Sequence, residues 1–185
     1  GEFSDWNVGD NKTVNLSGIS LTGADAGNYS LASSGIASNA SITPATLTLT
    51  SLGTVEKVYD GTATAMVNAG NQPTLQGGFA GDNVALTFTH SSAAYDNKNV
   101  GDNKTVTLSG LTLGGTDAGN YQLASTSISG NVGKITPAAL TITASANSKV
   151  YDGTTSAAAT PTVSGLMVGD SFSGLSQTYD NKNAG

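Results

Sequence analysis

The sequence predicts an all-β protein built from tandem repeats. Three observations carry this expectation. Whole motifs return in order at a period near 92 residues, apolar and polar residues alternate with period two, and the alternating runs are separated by Gly/Asn/Asp-rich turns. No stretch has a helical period.

The period sets the frame. NVGDNKTV at residues 7–14 returns at 99–106, DAGNY at 25–29 returns at 117–121, and KVYDGT at 57–62 returns at 149–154, each 92 residues later. ITPA at 42–45 returns at 135–138, one residue late. YDNKN at 95–99 returns at 179–183, only 84 residues later, so the last copy has a shorter middle. Phe3 falls in register with Tyr95. Such a period is too long for a solenoid turn and fits a bead of about 100 residues.

Pro44 and Pro137 sit in the matching ITPA segments and read as stiff junctions. One complete repeat then covers residues 44–136. Residues 1–43 match the C-terminal half of a repeat, with Gly1 and Glu2 reading as a cloning remnant, and residues 137–185 match the N-terminal half of the next. A half bead exposes sheet edges and apolar faces. The expectation is that the N-terminal half of one chain completes the C-terminal half of another, or that the two ends pack together in some other way.

The strands are read from alternation. TLTLT (46–50), LTIT (140–143), VALTFT (84–89) and VTLSGLTL (106–113) each place apolar residues on one face. GGFAGDN and YDNKNVGDN supply the turns between them. The DAGNY motif narrows the fold. Immunoglobulin-type domains place a similar D-x-G-x-Y after an alternating strand, and the tyrosine hydroxyl bonds back to backbone at that corner. Tyr29 and Tyr121 take this place. Leu31 and Leu123 stand where such domains often carry a Cys, and Trp6 does not fit the place of their strand-C Trp. The expected fold is therefore a series of Ig-like β-sandwich repeats with a tyrosine-corner-like DAGNY motif. A β-grasp-like strand order is the alternative.

The order KVYDGT, GD turn, YDNKNVG, LSGLTLGGTDAGNY, ITPA resembles the YDG/MBG-type repeats of large bacterial surface adhesins and filamentous-haemagglutinin-like secreted exoproteins. The resemblance covers essentially the whole chain after Glu2. It implies an extracellular, surface-borne or secreted bead whose tandem copies form a stalk, with neighbouring repeats of the same chain as its partners.

Composition bounds the chemistry. The chain has 185 residues and no Cys, so disulfides and thiolate sites are absent. All seven basic residues are Lys, the net charge is −6, and only 11% of residues are charged against roughly 25% in an average domain. A nucleic-acid partner would require a basic patch, and an anionic membrane would repel this chain. No apolar run reaches the ~20 residues of a membrane helix.

Catalysis finds little support. His90 is the single His and occurs in one copy only. Tyr59–Asp60 and Tyr151–Asp152 can be imagined as acid and base, but no His or Arg recurs with them. The structural reading is that Asp60 and Asp152 open turns with the following Gly, while Tyr59 and Tyr151 pack at a sandwich edge.

Asp10, Asp25, Asp102 and Asp117 recur in matching loops and are the calcium candidates, with Asp102 and Asp117 foremost. Ca²⁺ wants about 6–8 oxygens, and these acids are spread singly with no D-x-D-x-D-G loop. Asp82, Asp96, Asp170 and Asp180 lie in other turns. In DAGNY the Asp is expected to cap its own turn. No cofactor is otherwise implied.

A Lys–Asn isopeptide bond at Lys57 or Lys149 would need a buried carboxylate, whereas both lysines are expected exposed on a strand. Sequons occur at Asn11, Asn15, Asn28, Asn39 and Asn103. The expected function is a non-enzymatic spacer of a bacterial cell-surface adhesin or biofilm exoprotein. The alternative is a repeat that itself adheres to a glycan, a host surface or another copy, with residues 66–79 (MVNAGNQPTLQGGF) as the odd loop.

Overall fold

A computed structural model of the chain describes residues 1–32 and 37–184. Among these residues the chain is all-β, with fifteen short strands and no α-helix. In chain order the first seven strands are β1 (Glu2–Phe3), β2 (Gly9–Asn15), β3 (Ala37–Ile42), β4 (Ala45–Leu49), β5 (Val55–Val58), β6 (Thr64–Ala65) and β7 (Leu75–Gln76). The remaining strands are β8 (Ala85–Thr87), β9 (Ala93–Tyr95), β10 (Gly101–Ser109), β11 (Thr112–Gly114), β12 (Tyr121–Leu123), β13 (Ser127–Thr136), β14 (Thr141–Thr143) and β15 (Thr162–Ser164). Single 3₁₀ turns cover Ala26–Asn28, His90–Ser92 and Ala118–Asn120.

The chain divides into two compact units. The first comprises Gly1–Ser51, Pro73–Thr89 and Ser109–Ile128. The second comprises Leu52–Gln72, His90–Leu108 and Ser129–Gly185.

The first unit holds three sheets. β1-β2-β3 is an antiparallel meander, with Phe3 opposite Val14 and Thr13 opposite Asn39. In β12-β4-β7, β4 lies parallel to β12, with Tyr121 opposite Ala45 and Leu123 opposite Leu47, and antiparallel to β7. β8 and β11 form the third, antiparallel pair. Leu47, Pro73, Leu111 and Tyr121 are buried here.

The second unit is built on the sheet β5-β13-β10-β9-β6, and β14 pairs separately with β15. β5 runs parallel to β13 with Val55 opposite Gly133 and Val58 opposite Thr136. β9 is antiparallel to both β10 and β6. Alternation explains the burial. On β10, Lys104, Val106 and Leu108 are buried while Thr107 and Ser109 face solvent. Val55, Tyr95 and Ile135 are buried in the same unit.

The strands expected at TLTLT, VALTFT and LTIT form as β4, β8 and β14. VTLSGLTL does not form one strand. It divides into β10 and β11 at Gly110, whose φ of 70° leaves the extended region. GDNK is a bulge signal as well as a turn: Asn11 and Asn103 adopt φ of 55° and 52°, and the β2–β3 register shifts between Gly9 and Lys12. Pro44 lies between β3 and β4, and Pro137 follows β13 directly.

Candidate functional site

The recurring motifs converge on two kinds of polar site. The first is a clasp made by KVYDGT alone. Gly61 turns the chain with φ of 79°, and Asp60 Oδ1 accepts the Thr62 N–H and hydroxyl, each at 2.9 Å. Lys57 Nζ then donates to Asp60 Oδ1 at 2.7 Å, to the Thr62 carbonyl at 2.8 Å and to Thr62 Oγ1 at 3.1 Å. The ammonium sits 5.5 Å from the centre of the Tyr95 ring, within cation–π range.

The second copy repeats this bond for bond. Gly153 has φ of 75°, and Asp152 Oδ1 accepts the Thr154 N–H and hydroxyl. Lys149 Nζ reaches Asp152 Oδ1 at 2.8 Å and the Thr154 carbonyl at 2.8 Å, and lies 5.5 Å from the Tyr179 ring. In both copies the lysine hydrogen bond, followed by the Thr N–H, holds the Asp carboxyl at a pKa of about 2.

The expectation that Lys57 and Lys149 stand exposed on a strand holds in part for each: Lys57 is on β5 but half-buried, and Lys149 is exposed but outside any strand. Both ammonium groups fold over a turn and a tyrosine face. Tyr95, the ring beneath Lys57, is buried, and its hydroxyl donates to the Val55 carbonyl at 2.9 Å.

The second kind of site is the GD turn. Asp82 N–H bonds the Phe79 carbonyl, and Asp170 N–H bonds the Met167 carbonyl. Gly81 and Gly169 hold φ of 100° and 89° at the same place in the two turns. Each turn presents its carboxylate to a tyrosine. In the first unit Tyr121 donates its hydroxyl to Asp82 Oδ2 at 2.5 Å and accepts the Phe79 N–H at 3.0 Å. The hydrogen bond to Asp82 raises the Tyr121 pKa. In the second unit Tyr59 donates to Asp170 Oδ2 at 2.6 Å, and Lys98 Nζ donates to Asp170 Oδ1 at 2.9 Å while lying 5.8 Å from the Tyr59 ring. Tyr59 and then Lys98 lower the Asp170 carboxyl, and Asp170 raises Lys98.

A cleft accompanies each turn. In the first unit Trp6, Val8, Phe79, Asp82, Asn120 and Tyr121 are among its walls. In the second they are Tyr59, Val100, Ala138, Leu140, Met167 and Asp170. By sequence register these are matching places: Val8 with Val100, Phe79 with Met167, Asp82 with Asp170, and Trp6 with Lys98.

DAGNY departs from the expected corner. The Tyr121 hydroxyl bonds to the GD turn, about forty residues upstream, rather than to backbone beside it. Neither Asp25 nor Asp117 caps its own 3₁₀ turn with its side chain. Asp117 instead accepts the Asn83 N–H at 2.7 Å, because its own N–H is already turned to the Asn83 carbonyl. The two segments thus lock reciprocally.

The calcium candidates are not brought together. Asp10 and Asp25 are exposed, Asp102 lies 3.8 Å from Lys134 Nζ, and Asp117 is engaged as above. Among the described residues no three His, Cys, Asp or Glu side chains converge as a metal would need. Tyr29 and Tyr151 stand exposed. In the odd loop, Asn68 Oδ1 takes the Gly70 N–H and Asn71 Nδ2 reaches the Thr54 carbonyl, so its amides hold its own path.

Sequence reasoning missed Lys98 and the pairing of GD aspartates with tyrosines. The signal was the recurrence of Gly-Asp three residues after a large apolar residue. The family model described as YDG domain matches residues 1–36, 43–128 and 136–185. The chain belongs to the YDG domain family. The YDG triplet of residues 59–61 serves both sites: Asp60 and Gly61 shape the clasp, while Tyr59 donates to Asp170 of the GD turn. No curated protein matches the chain. No solved structure matches it either.

Proposed function

We propose that this YDG chain is a non-enzymatic structural spacer, a stalk segment of a bacterial cell-surface adhesin or biofilm exoprotein that extends a distal binding region outside the cell. One observation carries the reading. The polar side chains that recur, Lys57, Asp60 and Thr62 with their copies and Asp82 and Asp170 with their tyrosines, bond to one another and hold turns closed. An ionised carboxylate with a pKa of about 2, bonded to a lysine, is a poor proton carrier at neutral pH and a good fastener.

The bead boundaries proposed are 1–43, 44–136 and 137–185, and the architecture proposed is a tandem Ig-like sandwich. Support comes from the parallel pairs β4–β12 and β5–β13, each of which joins the start of the middle segment to its end. Neighbouring repeats are the natural partners.

A second reading, an adhesive repeat that binds a glycan, is favoured by the first unit's cleft. There the exposed rings of Trp6 and Phe79 lie with Asp82 and Asn120, and aromatic faces with acceptors suit sugars.

Thermal melting of the chain with a glycan panel, with millimolar Ca²⁺ and with EDTA tests both. The spacer reading expects an unchanged Tm throughout. A ligand at 100 times its Kd adds about 2.7 kcal/mol, a rise of several degrees. Such a rise with a sugar, abolished by Trp6→Ala, would replace the spacer by the adhesive repeat.

A further inference from the structure

We propose that Asp60–Gly61 and Asp152–Gly153 are isoaspartate modification sites, and that the lysine of each clasp, Lys57 or Lys149, is the residue that holds its site closed. This does not rest on the spacer role or on the repeat boundaries.

The liability is written into the turn. Gly61 and Gly153 hold φ of 79° and 75°, which favours glycine, and the residue before each must be an acid whose Oδ1 takes the N–H two positions on. Asp followed by Gly is the sequence most open to isomerisation, because glycine has no side chain to shield its nitrogen. The chain has 24 glycines, yet Asn-Gly, the other vulnerable pair, occurs nowhere and Asp-Gly only at these two places. Both lie under a lysine three residues upstream.

The reaction needs no partner but water. The Gly61 nitrogen loses its proton and bonds to Asp60 Cγ, the Cγ–OH bond breaks and one water leaves. Water then adds at the Asp60 backbone carbonyl and breaks its bond to the Gly61 nitrogen. No atom is gained or lost overall, but the backbone now runs through Cβ and Cγ and is one atom longer. Asp60 and Asp152 are exposed, so water reaches both.

The clasp opposes the first step twice. Oδ1 of Asp60 accepts the Thr62 N–H and hydroxyl and Lys57 Nζ, so the carboxyl cannot turn its carbon toward the Gly61 nitrogen without breaking them. A neutral carboxyl sheds its hydroxyl as water, whereas a carboxylate would have to shed oxide, and the lysine favours the carboxylate. Lys57 is itself held, by the Thr62 carbonyl at 2.8 Å and the face of Tyr95, whose hydroxyl is tied to the Val55 carbonyl at 2.9 Å. Lys149 is held in the same way by the Thr154 carbonyl and the Tyr179 ring. An isoaspartate at either place would carry the carboxylate away from the Thr N–H and undo the clasp.

The two copies give the test an internal control. The whole 185-residue chain, its Lys57→Met variant and the wild-type chain unfolded in guanidinium are held at neutral pH and 37 °C for weeks. Isoaspartate at residues 60 and 152 is then read by isoaspartyl methyltransferase labelling and peptide fragmentation. The folded wild type should form it about tenfold or more slowly than the unfolded chain at both places. Lys57→Met should raise the rate at residue 60 by about tenfold and leave residue 152 unchanged. Lys149→Met should do the reverse. A folded chain that isomerises as fast as the unfolded one overturns the proposal. So does a Lys57→Met variant whose rate at residue 60 stays at the wild-type value, or whose two rates rise together while its Tm is kept. Should Lys57→Met fail to fold, Lys149→Met and the folded-against-unfolded comparison decide.

Discussion

Tyr29 and Tyr121 occupy the same place in the same motif. Their 3₁₀ turns are superposable in angle: Asp25 has φ −100° and ψ 6°, Asp117 has φ −102° and ψ 4°, and both tyrosines follow in extended backbone. Yet Tyr121 is 6% exposed and Tyr29 is 73% exposed. Local sequence therefore suffices for the turn, and a distant segment decides the burial. Tyr121 has the GD turn of residues 79–82 to receive its hydroxyl and Phe79 to lie 6.3 Å from its ring. The KVYDGT clasp teaches the same from the other side. Its bonds close within six residues, and they form alike in both copies.

The widest gap between matched positions is predicted in the buried strands. Leu108→Ala should cost about 2–5 kcal/mol, since a fully covered leucine leaves a cavity. Leu16→Ala, at dilution, should stay within about 0.5 kcal/mol. Urea unfolding of the two variants checks this, and equal losses would mean that residues 1–43 possess a covered core of their own.

A smaller separation is expected between the tyrosines. Tyr121→Phe removes a donor to Asp82 and an acceptor for Phe79, and should lower Tm by about 2–4 °C. Tyr29→Phe should leave Tm unmoved in dilute solution. Matching shifts would show that the motif acts through its turn alone.

The smallest effect concerns the clasps. Asp60 and Asp152 titrate at about 2 when folded, below the ordinary 3.8. Their stabilisation is complete above pH ~4 and is lost as pH falls through 4 toward 2. Both carboxyls are solvent-exposed, so the slope is shallow. Asp60→Asn and Asp152→Asn should each flatten Tm against pH in that window, and by similar amounts because the clasps are alike. A flattening by one variant only would mean that surroundings, and not the hexapeptide, set the carboxyl.

Much of this architecture was legible because it is local. Alternation marked β4, β8 and β14, and Asp-Gly marked the clasps as turns. β13 was illegible because Gly130 and Gly133 interrupt SISGNVGKIT, and glycine reads as a breaker. Gly133 is there for space. A Cβ would come within 2.8 Å of the Tyr95 ring and 2.9 Å of the Lys104 carbonyl. The Lys57–Tyr95 and Tyr59–Asp170 contacts were illegible for another reason. They join residues 38 and 111 positions apart, and no periodicity encodes which polar groups meet across such distances.

The parallel union of β5 and β13 has a mechanical consequence. Were the chain pulled along its length, tension would enter at the start of β5 and leave at the end of β13, and the two strands point the same way with four facing pairs between them. A pull along the chain then drags one strand lengthwise past the other. The ladder is loaded in shear, all its hydrogen bonds at once, instead of being peeled open one bond at a time.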